Sequence, residues 1–195
     1  MKLVQLALFG AISASLGGCM YASTPDPQLS QRDAEFMALI PNADTDKMFA
    51  RYMVDNTTGE PAGVVVVETH QHLLYYTMPD NKAMRYGVAL GNESFGWTGE
   101  AVVDHKAEWP AWNPPAEMIA RWPQVHQTPG GWTNPLGARA LYLFQNGKDT
   151  LYRIHGTNEP EKIGRSVSSG CIRMRNIDVI DLYNRVPAGT KVIVR

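Results

Sequence analysis

The sequence predicts a mainly β domain with minor helices, of the α+β class, behind a leader and a short polar segment. Three observations predict it. Short β-rich runs bounded by Gly, Pro, Asn and Asp recur from Gly63 to the end of the chain. Only two brief stretches, 31–39 and 177–185, read as helix. With 44% hydrophobic and 19% charged residues, a chain of 195 residues can bury one core without help from disulfides or metals.

The first twenty residues, MKLVQLALFGAISASLGGCM, are expected to be removed rather than folded. Lys2 supplies a positive start, and the apolar run over 3–16 is too short for a comfortable membrane span. Leu16-Gly17-Gly18-Cys19 resembles the lipobox of bacterial lipoproteins, which implies cleavage after Gly18 and a lipid on Cys19. An ordinary signal peptide cut nearby is the alternative. Met20 is not the acidic residue that retains many lipoproteins at the inner membrane, so the resemblance implies an outer-membrane anchor facing the periplasm. The expected organisation is a signal peptide over 1–18, a tether with a small packing element over 19–62, and a catalytic domain over 63–195.

Within the tether, the run Ser-Thr-Pro-Asp-Pro-Gln is linker, Ser30 caps a short helix over 31–39, and 56–63 is loop. Strands are predicted over 64–68 and 73–77. Pro79-Asp80-Asn81-Lys82 then turns into a third over 85–90. Further strands fall at 101–105, 140–144, 150–154 and 191–194, and the helix over 177–185 ends before Pro187. Between 108 and 137 the pattern changes. Four of the five Trp lie there among repeated Pro and Gly, which suits a rigid aromatic loop over a groove. Trp112 and Trp132 are its candidates for facing a substrate, against the plainer role of capping an open end of the β core.

The chemistry is concentrated further on. The sequence holds only Cys19 and Cys171, and Cys19 lies in the leader, so Cys171 has no partner for a structural disulfide. A lone thiol in an exported domain is most economically explained by thiolate chemistry. His155 stands sixteen positions ahead of it and is the residue type that takes a proton from a thiol near neutral pH. Gly170 has no side chain to hold a substrate carbonyl away from the amides of Ser169, Gly170 and Cys171. His70 and His72 are spaced to share a strand face but are too few to ligate a metal, and His105 and His126 have no partner motif. A zinc site of His155, His126 and Cys171 matches no common spacing. No metal and no cofactor is expected. Removing the leader leaves 17 basic against 19 acidic residues, which invites no nucleic acid.

The residues over 63–195 resemble the L,D-transpeptidase catalytic domain family, of YkuD or ErfK/YbiS/YcfS/YnhG type. The resemblance is carried by His155-Gly156-Thr157 and Ser168-Ser169-Gly170-Cys171-Ile172-Arg173. It is supported by Trp112-Asn113-Pro114-Pro115, Asn134-Pro135-Leu136-Gly137 and Gly189-Thr190-Lys191-Val192. Ser169 departs from the pattern, because many members carry a second His there. The resemblance implies a β-sandwich in which Cys171 attacks a peptidoglycan stem peptide and forms a thioester, with His155 as base. The Gly156 carbonyl would orient His155, and the amides of Ser169, Gly170 and Cys171 would hold the oxyanion. Arg173 would pair with a stem carboxylate or else form a structural ion pair, and Ser168 would fix the loop beside the substrate. The acyl acceptor would be a diaminopimelate amine, a lysine of an envelope protein, or water. The alternatives are a sortase-like thiol acyltransferase and a non-catalytic lipoprotein that binds the cell wall.

Overall fold

A computed structural model describes residues 21–91, 98–114, 116–168 and 170–195. The predicted meander forms as β3 (Val65–Glu68), β4 (Leu73–Met78) and β5 (Lys82–Gly87). The turn between the last two works because Asp80 and Asn81 accept left-handed backbone, with φ of 58° and 53°. A second hairpin joins β8 (Arg139–Gln145) to β9 (Lys148–His155). Its tip is Asn146-Gly147, both at positive φ, the pair that matches the twist of a two-residue hairpin. Outside it lies the long β7 (Gly99–Glu108), and β12 (Lys191–Val194) runs antiparallel to β7 and parallel to β3.

Five further short strands were not expected from the sequence. These are β1 (Ala22–Ser23), β2 (Tyr52–Asp55), the β6 (Leu90–Gly91) and β10 (Ser166–Ser168) pair, and β11 (Ile172–Arg173), of which the β6–β10 pair forms a small sheet of its own. The main sheet has ten strands in the order β1-β2-β5-β4-β3-β12-β7-β8-β9-β11. Its last strand returns to the first half of the domain: Ala89 and Arg173 exchange amide-to-carbonyl hydrogen bonds of 2.8 Å in both directions. One sheet curling back in this way gives the expected sandwich.

The core follows from strand alternation. Val65 and Val67 face the main cluster with Leu141, Leu143, Ile154 and Val192, while Val64 and Val66 turn to a smaller cluster with Tyr75 and Ile193. Of the three α-helices described, α3 (Asn176–Arg185) closes the main cluster with Val179, Ile180 and Leu182, all essentially inaccessible. Burying side chains of this size stabilises by about 1.5–3 kcal/mol each, so the helix is held by packing rather than by its own propensity.

Three expectations need correction. Residues before 63 are more than a tether with a packing element, since β1 and β2 extend the main sheet. In addition, α1 (Gln31–Met37), capped by Ser30 as expected, inserts the buried Asp33 into the domain. His70 and His72 do not share a strand face: His70 lies in a single 3-10 turn, Thr69–Gln71, and His72 is its left-handed cap. The aromatic loop is not wholly irregular, because α2 (Ala116–Arg121) forms within it.

Candidate active site

Strands β9 and β11 run parallel, with Ile172 opposite Ile154 and Arg173 opposite His155. Paired side chains share a face, so Ile154 and Ile172 enter the core, whereas His155 and Arg173 lie on the other face. Cys171 immediately precedes β11, one step from Ile172, and lines the surface cleft together with Gly170. Gly170 has φ 125°, and a β-carbon there would meet the Tyr152 ring at 3.0 Å. Glycine is therefore needed for the approach as well as for the backbone angle. Cys171 is half-buried and forms no disulfide among the described residues.

His155 is only 3% exposed, and its Nδ1 lies 2.5 Å from the Gly156 carbonyl oxygen. A carbonyl only accepts, so Nδ1 carries the proton and Nε2 keeps its lone pair. Burial, reinforced by the Arg173 guanidinium, depresses the imidazole pKa from 6.5 to about 3 despite that hydrogen bond. Burial likewise pushes the Cys171 thiol up, against the opposing pull of the Arg153 backbone amide and the Arg153 and Arg173 charges. The resting pair is therefore a neutral thiol and a neutral imidazole.

The Gly156 carbonyl is itself positioned by Asn176 at the start of α3. Asn176 Oδ1 accepts from the amides of Ala138 (2.9 Å) and Thr157 (3.1 Å), and its Nδ2 donates to the Thr157 carbonyl (2.9 Å). A side chain at Gly137 or Gly156 would collide with that same oxygen, which explains a glycine in both blocks. Asn134 does the corresponding work for the aromatic loop. It donates to the carbonyls of Thr128 (3.1 Å) and Pro129 (2.9 Å) and accepts from the Leu136 amide (2.8 Å).

The cleft has a volume of about 460 Å³, and Trp112, Trp122, Arg121, Tyr152 and Arg153 line it with Cys171. Trp112 is fixed there by reciprocal backbone bonds to Thr128. The other expected substrate contacts fall elsewhere. Trp132 is 41% exposed and does not line the cleft. Arg173 does not line it either: its Nη1 lies 3.1 Å from Glu159 Oε2, and Glu159 also pairs with Lys162. An ion pair was one of the two roles expected of Arg173. The backbone of Ser168 belongs to β10, whereas Ser169 and Cys19 lie outside the described residues. Among the described residues, no three His, Cys, Asp or Glu gather to hold a metal.

Sequence reasoning missed Asn176, Trp122, Arg121, Tyr152 and Arg153. Only Arg153 left a readable signal, since counting two back from His155 along a strand puts it on the same face.

A His at the end of β9 and a Cys just ahead of the adjacent parallel β11, the Cys lining an aromatic cleft, place an imidazole and a thiol on one edge of a β-sandwich. Residues 61–194 match the family model described as the YkuD L,D-transpeptidase catalytic domain, and the chain belongs to that family. It is 35% identical over 139 residues to YbiS of Escherichia coli K12, covering 67% of this chain but 43% of YbiS. It is 30% identical to a Fuscovulum blasticum protein encoded in the ATP synthase subunits region, over 94% of this chain and 95% of the relative. Both are named as L,D-transpeptidases, and both names mark the activity as inferred. The chain thus spans under half the length of YbiS. Among solved structures, a Brucella melitensis protein named for a carnitine operon oxidoreductase is 44% identical, with TM-score 0.54 over 77% of this chain and 96% of its own. L,D-transpeptidase 3 of Mycobacterium tuberculosis shares the fold at 16% identity, with TM-score 0.54 over 75% and 69%.

Proposed function

We propose that the protein is a peptidoglycan L,D-transpeptidase that works through a thioester on Cys171. The observation that carries this reading is the Nδ1 bond from His155 to the Gly156 carbonyl, which leaves Nε2 as a neutral base on the sheet face that Cys171 borders. Cys171 Sγ attacks the carbonyl of the third residue of a stem tetrapeptide while His155 takes the thiol proton. The tetrahedral oxyanion is held by the amides of Gly170 and Cys171, with that of Ser169 as the sequence suggests. One such donor is worth about 3 kcal/mol of barrier. As the carbon–nitrogen bond breaks, His155 returns the proton to the departing D-alanine amine. An acceptor amine then loses a proton to His155, attacks the thioester and releases the thiol. A diaminopimelate amine gives a 3→3 cross-link, an envelope-protein lysine gives anchoring, and water gives carboxypeptidase activity. The family and the leader together support a periplasmic enzyme anchored by a lipid on Cys19.

One preparation tests these points. Protein purified from membranes is incubated with disaccharide-tetrapeptide, and its intact mass and the muropeptide products are read by mass spectrometry. An acyl adduct lacking D-alanine is expected on Cys171, together with a lipid-bearing Cys19 as first residue. Cys171→Ala should fold normally and form neither adduct nor product. Product formed at the wild-type rate by Cys171→Ala would sink the mechanism, and an unmodified N-terminus elsewhere would sink the anchor.

A further inference from the structure

The outer face of the second half of the sheet carries a row of side chains in register. His105 on β7 is opposite Tyr142 on β8, and Tyr142 is opposite Arg153 on β9. Beyond Arg153 comes Cys171, which lines the cleft with both Tyr142 and Arg153. The row is tightly built. The His105 and Tyr142 rings stack at 4.1 Å and 15°, and the Arg153 guanidinium sits 4.5 Å from the Tyr142 ring centroid. Asp149 grips the same guanidinium with both carboxylate oxygens, at 2.7 and 2.8 Å. Nη1 also donates to the Tyr152 carbonyl at 2.9 Å, and the side chain is 14% exposed.

The strand is deformed to allow this grip. Pairing of β8 with β9 is irregular between Tyr142 and Phe144, where Leu151 adopts φ 62°. Asp149 Oδ1 accepts from the Leu151 amide at 2.8 Å while holding Arg153, so one carboxylate fixes both the bulge and the cation.

We infer that Arg153 is a positioning residue that keeps a fixed positive charge beside Cys171 and so favours the anionic sulfur formed when the thiol loses its proton. The other charges near the sulfur are placed differently. Arg173 does not line the cleft, Arg121 ends α2 in the aromatic loop, and His155 is neutral. The Arg153 main-chain amide and side-chain charge both act on the thiol in the stabilising direction, ahead of Arg173. A role confined to stability would leave thiol ionisation unchanged, which makes the two separable.

Alkylation of Cys171 by iodoacetamide, followed by peptide mass across pH in the full chain, reads that ionisation directly. In Arg153→Gln the midpoint should rise by about one pH unit, and the rate at pH 7 should fall about tenfold. The plateau at high pH should not move, since access to the sulfur is the same. Arg153→Lys keeps the charge and loses the fork, so its midpoint should rise by less than half as much. His105, Asp104, Glu159, Arg121, Arg173 and His155 are common to all variants, whereas Tyr142 and Asp149 lose the guanidinium in the Gln variant and the freed Asp149 carboxylate adds to the rise. A folded Gln variant with the wild-type profile overturns the inference. Where that variant fails to fold, a full-unit rise in the Lys variant overturns it, and a retained midpoint supports it. The inference rests on Cys171 as the nucleophile, but alkylation needs no stem peptide. A wild-type profile in the Gln variant would therefore remove this role and leave the proposed reaction standing.

Discussion

The imidazole of His155 is buried as a neutral group, and that has a consequence for stability that can be measured. Its pKa falls from 6.5 to about 3 on folding, because the charged form would lie in a dry site beside Arg173. Between those two values the unfolded chain binds the proton and the folded chain does not, so stability rises with pH there and is flat above 6.5. The wild type should accordingly lose about 1.4 kcal/mol for each pH unit below 6.5 through this group. His155→Gln removes the contribution, so its denaturation midpoint should fall less steeply from pH 6.5 to 4. Equal slopes in the two proteins would mean that the imidazole is solvated in the folded state. The same low pKa keeps the imidazole unprotonated throughout the neutral range.

Strand β9 carries the site because it is not regular. Its bulge puts Leu151 at φ 62° with 61% of its surface exposed, a conformation that costs an L-residue about 1–2 kcal/mol and returns no packing. Glycine removes that strain but loses about 0.5–1 kcal/mol of chain entropy, so Leu151→Gly should melt at or slightly above the wild-type temperature. Leu151→Val is the contrast, since a β-branched side chain resists left-handed backbone, and it should melt lower. A Gly variant that melts well below the Val variant would show that Leu151 is held by packing rather than strained by the bulge. On the helical side, the site depends on the first turn of α3, where Asn176 ties the Gly137 and Gly156 segments together.

Across the whole molecule, the segment before residue 40 and the wall of the cleft are joined by one buried ion pair. Asp33 on α1 takes both Nη1 and Nη2 of Arg139 on β8 at 2.8 Å, and Trp109 Nε1 donates to the same carboxylate at 2.8 Å. Trp109 opens the aromatic loop, and its ring meets Phe36 of α1 edge-on at 5.0 Å. These hydrogen bonds and the Arg139 charge hold the Asp33 carboxyl well below the usual range, although burial opposes them. Asp33→Ala leaves the buried Arg139 with only the Ala138 carbonyl and a distant Glu108 at 3.9 Å, so it should destabilise the protein by about 3 kcal/mol in chemical denaturation. It should also lower acyl transfer by loosening the loop that carries Trp112. A loss below about 1 kcal/mol would show that α1 is only loosely docked.

Period-two patterning, turn residues and the Cys171 and His155 blocks were enough to predict seven of the strands, both outer helices, the mainly β class and the family. Each of these is written in contiguous residues, where local sterics and alternation decide. The short strands β1, β6, β10 and β11 were not legible, because two or three residues carry too little pattern and pair only when a distant strand offers an edge, and β2 lies in the polar segment read as a tether. Helix α2 was hidden by the Pro and Trp around it. Arg173 matched a motif position, yet its placement was settled by Glu159, fourteen residues away, which captures its guanidinium. Arg153 and Asn176 acquire their roles from neighbours on other strands and on a helix. Side-chain chemistry is fixed by sequence, but the field and the hydrogen bonds around a side chain come from chains brought together by folding, and only the tertiary structure decides those.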